Sequence, residues 1–300
     1  MFVKRIAFCA LILAGCTPAT ESLPMKAAAQ HDGGVLAQKC EGRDGWSDPA
    51  PPAHIYGNVF MVGTCGITVL LITSKQGHIL IDGATQDAAA SIAENIRNLG
   101  FKLSDVKYLL SSHEHLDHVG GLAELKRLTG AQMIARPQAV ASLETGRSDH
   151  TDPQKDVLPP FIGIRVDRTI MDGELVKLGR IHVKALATPG HSPGGTSWTW
   201  KSCEEGKCFQ FVYADSLSAV SAQMYKFTKN PEYVATLRNT IQKIGSFTPC
   251  DILVTPHPSQ SQFFQRLSGK ETLVNPNGCR NYAIAAANRL NTRLTEEVSR

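Results

Sequence analysis

The chain has no hydrophobic run long enough to cross a bilayer as a helix. The longest, Ile6–Ala14, has nine residues, where a span needs about 20. There is no tandem repeat at solenoid periods and no block of like charges. The formal net charge is only +4. Lys4 and Arg5 supply two of those charges at the extreme N-terminus, so +2 remains without them and no basic patch argues for nucleic acid. No Cys-x-x-Cys pair occurs, which disfavours a zinc–cysteine site. What is present is a chain of 300 residues, 42% hydrophobic. That suffices for one compact α/β domain of about 260 residues.

The N-terminus points to export. A short basic region, Lys4-Arg5, precedes the apolar run, which suits a signal peptide. It ends in Leu13-Ala14-Gly15-Cys16, which resembles a bacterial lipobox whose cysteine is acylated. The expected organisation is a signal peptide over 1–15, lipidation at Cys16, a tether or removed segment over 16–39, and a single domain over 40–300. Thr17 rather than Asp after the cysteine favours the outer membrane under lipoprotein sorting rules. The alternative is cleavage after Ala27-Ala28-Ala29, near residue 29, giving a soluble periplasmic form.

Residues 113–118 read His-Glu-His-Leu-Asp-His. His113, His115, Asp117 and His118 thus place four metal-binding side chains in six residues. Neutral imidazole and carboxylate suit zinc. Alternation points His113 and His115 the same way on an extended segment, while Asp117 and His118 turn elsewhere. Donors split between two directions imply two metal ions. The run follows the apolar stretch 106–112 and precedes a helix-like stretch, so it lies at the carboxyl end of a strand, where open α/β sheets place their sites.

Two more histidines repeat that pattern. The apolar stretch Ile181–Ala187 enters the turn Thr188-Pro189-Gly190-His191-Ser192-Pro193-Gly194-Gly195, with His191 at its apex. The stretch 251–255 ends in Pro256-His257-Pro258. Singly, each would be a turn histidine. Three apolar strands ending in histidine argue for one shared site. His31, His54, His78, His150 and His182 lack such surroundings and are read as surface or packing residues.

His-x-His-x-Asp-His with two later histidines resembles the metallo-β-lactamase superfamily. Ile55–Asn58 with Val62–Ile67, then Gly194–Trp200, then Tyr213–Ser218, make the chain most similar to subclass B3. The resemblance runs from about Cys40 to the last helix and implies a four-layer αβ/βα sandwich, an α/β (α+β) fold with the site at the shared edge of two sheets. It implies two Zn2+: His113, His115 and His191 for the first, Asp117, His118 and His257 for the second. The implied reaction is hydrolysis of the β-lactam amide of penicillins, cephalosporins and carbapenems by a metal-bound hydroxide, conferring antibiotic resistance, with Asp117 orienting the nucleophile. No covalent acyl-enzyme is needed. Ser216 and Ser218 are the implied partners of the substrate carboxylate, with Gln154 in the preceding loop a further candidate. Asp82 matches a position that braces the metal-binding loop by hydrogen bonds, and Asp215 is read as structural or supporting. The expected partner is a small β-lactam, and a monomer is the expected state.

Cysteine usage agrees with export. Of eight cysteines, Cys9 lies in the signal and Cys16 is lipidated or cleaved off. Six remain, an even number suited to an oxidising compartment. The expected pairs are Cys40–Cys65, Cys203–Cys208 and Cys250–Cys279. The second closes a tight loop between two strands. The third staples the C-terminal helix to the strand that carries His257.

Periodicity places strands at 56–62, 67–73 and 78–82, a helix at 87–99, a strand at 107–112, a helix at 119–129 and a strand at 132–136. A long loop to about 160 follows. Strands are expected at 181–187, 196–201 and 209–214, and helices at about 231–245 and 280–298. Two other functions compete with β-lactam hydrolysis: a lactonase or glyoxalase II-like thioesterase of the same superfamily, and a non-catalytic zinc-binding envelope lipoprotein. Only 43 residues follow His257, little for a thioesterase's substrate-recognition domain. An open ligand set argues against a purely structural metal.

Overall fold

A computed structural model describes residues 32–299. The signal peptide, Cys16 and the alternative cleavage site near residue 29 lie outside the described residues. No described helix is long and apolar enough to cross a membrane.

The elements run α1 (Gly33–Lys39), β1 (Ala53–Tyr56), β2 (Val59–Met61), β3 (Leu70–Ile72), β4 (His78–Ile81), α2 (Ala89–Asn98), β5 (Val106–Leu110), α3 (Leu116–Val119), α4 (Leu122–Thr129), β6 (Gln132–Ala135), α5 (Pro137–Thr145) and β7 (Arg168–Thr169). The second half continues with β8 (Leu175–Leu178), β9 (Ile181–Ala187), β10 (Thr196–Glu204), β11 (Lys207–Tyr213), α6 (Pro231–Gly245), β12 (Ile252–Val254), α7 (Phe263–Leu267) and α8 (Gly278–Val298). Strands β1 to β7 form one sheet in sequence order, antiparallel as far as β4 and parallel beyond it. The other sheet has the order β12-β11-β10-β9-β8, with only β11 and β12 parallel.

Strand side chains alternate between faces, and the buried clusters follow that alternation. Ile79 and Ile81 of β4 join Phe211 and Tyr213 of β11, with Trp198 and Trp200, in a core between the sheets. Leu80 of β4 packs outward with Ile92 and Ile96 of α2 and Leu122 and Leu125 of α4. Val212 of β11 packs the other way, against Val234, Leu237, Ile241 and Ile244 of α6 and Tyr282 of α8. Those four α6 positions recur at helical spacing and give one apolar stripe. Helices therefore cover both outer faces of two stacked sheets, the four-layer sandwich expected from the sequence. Each fully buried large side chain contributes about 1.5–3 kcal/mol of burial free energy.

Several elements differ from their sequence expectation. The strand expected at 56–62 is a hairpin, because Gly57 takes φ +58 and turns the chain between β1 and β2. The helix expected at 119–129 starts earlier and breaks into α3 and α4 at Gly120-Gly121, where a Cβ on Gly121 would lie 2.2 Å from the Gly83 carbonyl oxygen. The loop expected after 136 contains α5, begun by Pro137 at its first turn and ended by Gly146. The short strands β7 and β8 carry too little periodicity to be read. Within the expected tether, α1 is capped by Asp32, whose carboxylate accepts from the Gly34 amide at 2.9 Å, and Leu36 is fully buried.

The disulfides are Cys40–Cys65, Cys203–Cys208 and Cys250–Cys279, with Cα separations of 5.2, 4.0 and 6.1 Å. This is the pairing expected from the sequence.

Candidate metal centre

The sandwich brings strand ends from both sheets to one edge. From the first sheet, β4 leads to Asp82, and β5 leads through Ser111-Ser112 to His113 and His115. Asp117 and His118 lie within α3. From the second sheet, the β9–β10 turn presents His191, β11 leads to Asp215, and β12 leads to His257. Hydrogen bonds lock the sheets together here. Trp198 Nε1 donates to the Ser111 carbonyl at 2.9 Å, and Tyr213 Oη donates to Asp82 Oδ2 at 2.7 Å.

Donor atoms of His113, His115 and His191 all lie within 4.8 Å of one another, and so do those of His113, Asp117 and His118. His257 joins less tightly: its Nε2 is 3.4 Å from Asp117 Oδ2, and its ring centre is 5.0 Å from that of His118. The second trio is thus drawn around His113 rather than His257, which stays partly open to solvent.

Every one of these rings is held at its other nitrogen. His113 Nδ1 donates to Asp215 Oδ1 at 2.8 Å, and His115 Nε2 donates to Asp152 Oδ2 at 2.8 Å. His118 Nδ1 donates to Asp82 Oδ2 at 3.2 Å. His191 Nδ1 donates to the Ser218 carbonyl at 3.0 Å, and His257 Nδ1 to the Gly66 carbonyl at 3.3 Å. Such bonds select the tautomer that leaves the remaining nitrogen as a metal donor. One of these remaining atoms, His113 Nε2, is buried without a hydrogen-bond partner, whereas His118 Nε2 faces Asp117 Oδ2 at 3.1 Å. A buried polar nitrogen is costly unless something binds it, and a divalent metal ion with nitrogen and oxygen donors fits that need.

The electrostatics point the same way. Burial, reinforced by neighbouring histidines, holds His113 well below the ordinary imidazole value. Burial, with His115 next, pushes His191 down to about 3, and burial, with His118 next, pushes His257 down to about 4. These rings are neutral and able to ligate. His118 goes the other way. Burial opposes its charge, but the Asp117 carboxylate beside it prevails and drives it up to about 10. Asp117 is correspondingly held well below the usual carboxylate range, because His118 outweighs its burial.

Asp82 occupies a strained position, with φ +66 for a non-glycine residue. Such backbone costs about 1–3 kcal/mol and persists where surroundings over-determine it. Its carboxylate accepts from the Ser112 amide at 2.6 Å and the Ser112 hydroxyl at 2.7 Å, besides His118 and Tyr213. Asp215 sits on the far side, bonded to His113, and burial raises its carboxyl well above the ordinary value.

Of the substrate-binding candidates, Ser218 Oγ lies 3.0 Å from His191 Nδ1 and is engaged there. Ser216 Oγ and Gln154 Nε2 are buried with no partner. Two buried carboxylates escaped the sequence reading. Glu114 accepts from Ser192 Oγ at 2.8 Å and the Gly194 amide at 2.7 Å, clipping the His113–His118 segment to the His191 turn. Asp152 holds His115. The unassigned position inside the histidine run was the one available signal for Glu114. Nothing local marked Asp152. Trp46, also missed, stands 6.4 Å from the His257 ring.

Two spellings associated with serine enzymes do occur. Gly190-His191-Ser192-Pro193-Gly194 reads Gly-x-Ser-x-Gly, but its serine hydroxyl donates to Glu114 and the turn enters strand β10 rather than a helix. Ser104-Asp105-Val106-Lys107 reads Ser-x-x-Lys, but it lies at the opposite end of β5, where Lys107 Nζ donates to the Ser104 carbonyl.

Comparison with known proteins gives the geometry a context. Residues 62–204 match the sequence profile of the metallo-beta-lactamase superfamily. The structure is similar to that of the metallo-β-lactamase MIM-1 from Novosphingobium pentaromativorans, with 48% identity, a TM-score of 0.86, and coverage of 88% of this chain and 98% of that one. It is also similar to MEM-A1, a subclass B3 metallo-β-lactamase from a soil metagenome library, at 41% identity and a TM-score of 0.82, covering 85% and 99%. Curated relatives match over less than half of their own length. A probable metallo-hydrolase of Burkholderia pseudomallei is 31% identical over 45% of this chain and 47% of that protein. A hydroxyacylglutathione hydrolase of Rhodopseudomonas palustris is 31% identical over 35% and 32%.

Proposed function

Because this chain belongs to the metallo-β-lactamase superfamily of hydrolases, we propose that it hydrolyses the amide bond of β-lactams, using two zinc ions and no covalent intermediate. The observation that carries this reading is the paired donor set at the sheet edge, in a chain similar over 98% of MIM-1. His113, His115 and His191 would hold the first ion, and Asp117, His118 and His257 the second. When bound, the ions would supply Lewis acidity, making water acidic near neutral pH and offsetting charge on the lactam carbonyl oxygen.

The chain's own residues do the rest. The Asp117 carboxylate, held ionised, accepts a hydrogen bond from the attacking water and sets its approach. Ser216 Oγ, buried and unpartnered, donates to the substrate carboxylate. Gln154 Nε2 is a further donor from the facing loop. Ser218 supports His191 first, so it contributes less to the substrate. Asp82, Asp215 and Glu114 keep the rings and turns aligned. Three disulfides suit an oxidising compartment and support a periplasmic protein. The proposed folded domain is single and starts near Asp32; lipidation at Cys16 would anchor it to the outer membrane.

The likeness to hydroxyacylglutathione hydrolase over a third of that protein keeps a thioesterase as the second reading. A substrate panel separates the two: a cephalosporin and a carbapenem against a hydroxyacylglutathione thioester and a lactone. Preferential β-lactam turnover that Asp117→Ala or His118→Ala abolishes is the expected result. Preferential thioester or lactone turnover would replace the reading.

A further inference from the structure

We infer that Asp152 is a positioning residue that couples the metal centre to the loop carrying Gln154. The inference rests on His115 being a metal ligand, as proposed above.

Asp152 uses both carboxylate oxygens. Oδ2 accepts from His115 Nε2 at 2.8 Å, with the two side chains 0% and 2% exposed. Oδ1 accepts from the Gln154 amide at 2.7 Å. The first bond selects the His115 tautomer protonated at Nε2, so Nδ1 is left to face the donor cluster. It also fixes the ring, which stands edge-on to His113 and His191 at 4.7 and 5.0 Å between centres. The second bond closes a local turn in which an aspartate side chain holds the backbone two residues on.

The surroundings make this turn a junction. The Asp152 amide donates to the Asp149 carbonyl at 3.0 Å, and the Pro153 carbonyl accepts from the Ala222 amide at 2.8 Å. One buried carboxylate thus joins a ring of the metal site to the 149–158 loop, and through Pro153 to the loop after Ser218. Gln154, buried with its amide nitrogen unpartnered, is the side chain that this turn aims. A metal ion held at His115 and an ordered 152–154 turn must then favour each other, since coupling between two sites is reciprocal.

The test uses the mature chain, with zinc affinity measured against a competing chelator and backbone amide hydrogen exchange followed with and without zinc. Asp152→Ala is expected to weaken zinc binding about 10- to 100-fold, the usual effect of losing such a support, and to abolish zinc-dependent protection of the Gln154 amide. Asp152→Asn separates the two bonds. Its amide oxygen still accepts from His115, while its NH2 group faces the Gln154 N–H. It should keep zinc affinity within a few-fold of the parent and lose the protection. Gln154→Ala should leave zinc affinity unchanged and raise KM. Parent-like zinc affinity in Asp152→Ala overturns the inference. If that variant does not fold, parent-like protection of the Gln154 amide in Asp152→Asn overturns it instead. A parent protein that takes up no zinc would overturn the assignment of His115 as a ligand and the inference with it. Zinc uptake by the parent with no effect of either Asp152 substitution overturns the inference alone.

Discussion

His113 Nδ1 and Asp215 Oδ1 lie 2.8 Å apart, 102 residues from each other in the chain. His113 follows β5 of one sheet and Asp215 follows β11 of the other, so this bond ties the metal-facing edge of the sandwich across its two halves. It also decides which nitrogen of His113 faces the donor cluster.

Replacing Asp215 should therefore act on metal affinity before it acts on the fold. Asp215→Ala removes the closer acceptor of His113 Nδ1, leaves only the Ser112 hydroxyl at 3.3 Å beside it, and loosens the choice of tautomer. Zinc affinity should fall about 10- to 100-fold. Asp215→Asn retains an acceptor and should fall less. Zinc titration with a chromophoric chelator reads both. Equal affinity in all three proteins would show that His113 needs no support from the second sheet.

Glu114 makes a stability prediction. Glu114→Ala leaves Ser192 Oγ and the Gly194 amide without an acceptor in a buried site. Losing buried bonds to a carboxylate costs about 2–4 kcal/mol. That corresponds to a drop in Tm of roughly 4–16 °C for a chain of this size. Glu114→Gln keeps one acceptor and should lose about half as much. Thermal unfolding of the metal-free proteins measures this, so that metal affinity does not enter.

The sandwich should also carry an acid-sensitive clasp at Glu297. Burial alone would raise this carboxyl, but the Thr228 amide, Arg293 and the Phe227 backbone together lower it from 4.5 to about 2. Its side chain pairs with Arg293 Nε at 2.8 Å and accepts from the Thr228 amide at 2.9 Å, pinning α8 to the chain that follows the site loop. Tyr225 is a further titratable group close enough to feel its charge. A carboxyl depressed in the folded state stabilises the fold fully above its unfolded value and loses that effect as pH falls through the folded one. The stability difference between the parent and Glu297→Gln should thus be constant above about pH 5 and shrink as pH falls from 4.5 toward about 2. Denaturant midpoints of both proteins across that range give the answer, and a difference independent of pH would remove Glu297 from this role.

The chemistry of the site was more legible than its supports. His113, His115, Asp117 and His118 are near neighbours in the chain, and His191 and His257 each end an apolar stretch flanked by glycine or proline. Ligand type and spacing are local signals. Asp152 and Glu114 act across 37 and 80 residues, through loop returns that no periodicity encodes. The grouping of donors around His113, with His257 more loosely placed, depends on how the two sheets stack. The fold shows the same division. Both β9 and α6 keep their expected bounds because their apolar spacing is regular. The stretch after 136 reads as a loop, yet Pro137 opens α5 there, since proline suits the first helical turn. Gly57 hid a hairpin inside what reads as one strand. At the N-terminal side, α1 was lost in a small-residue composition that also suits a tether.

The most direct test of the central claim is a zinc titration of the chelator-stripped mature protein, following cephalosporin and carbapenem hydrolysis as metal is added. The expected result is no turnover without metal, uptake of two equivalents, and β-lactam hydrolysis restored as they bind. Two equivalents taken up by a folded protein that still leaves both β-lactams intact would contradict it.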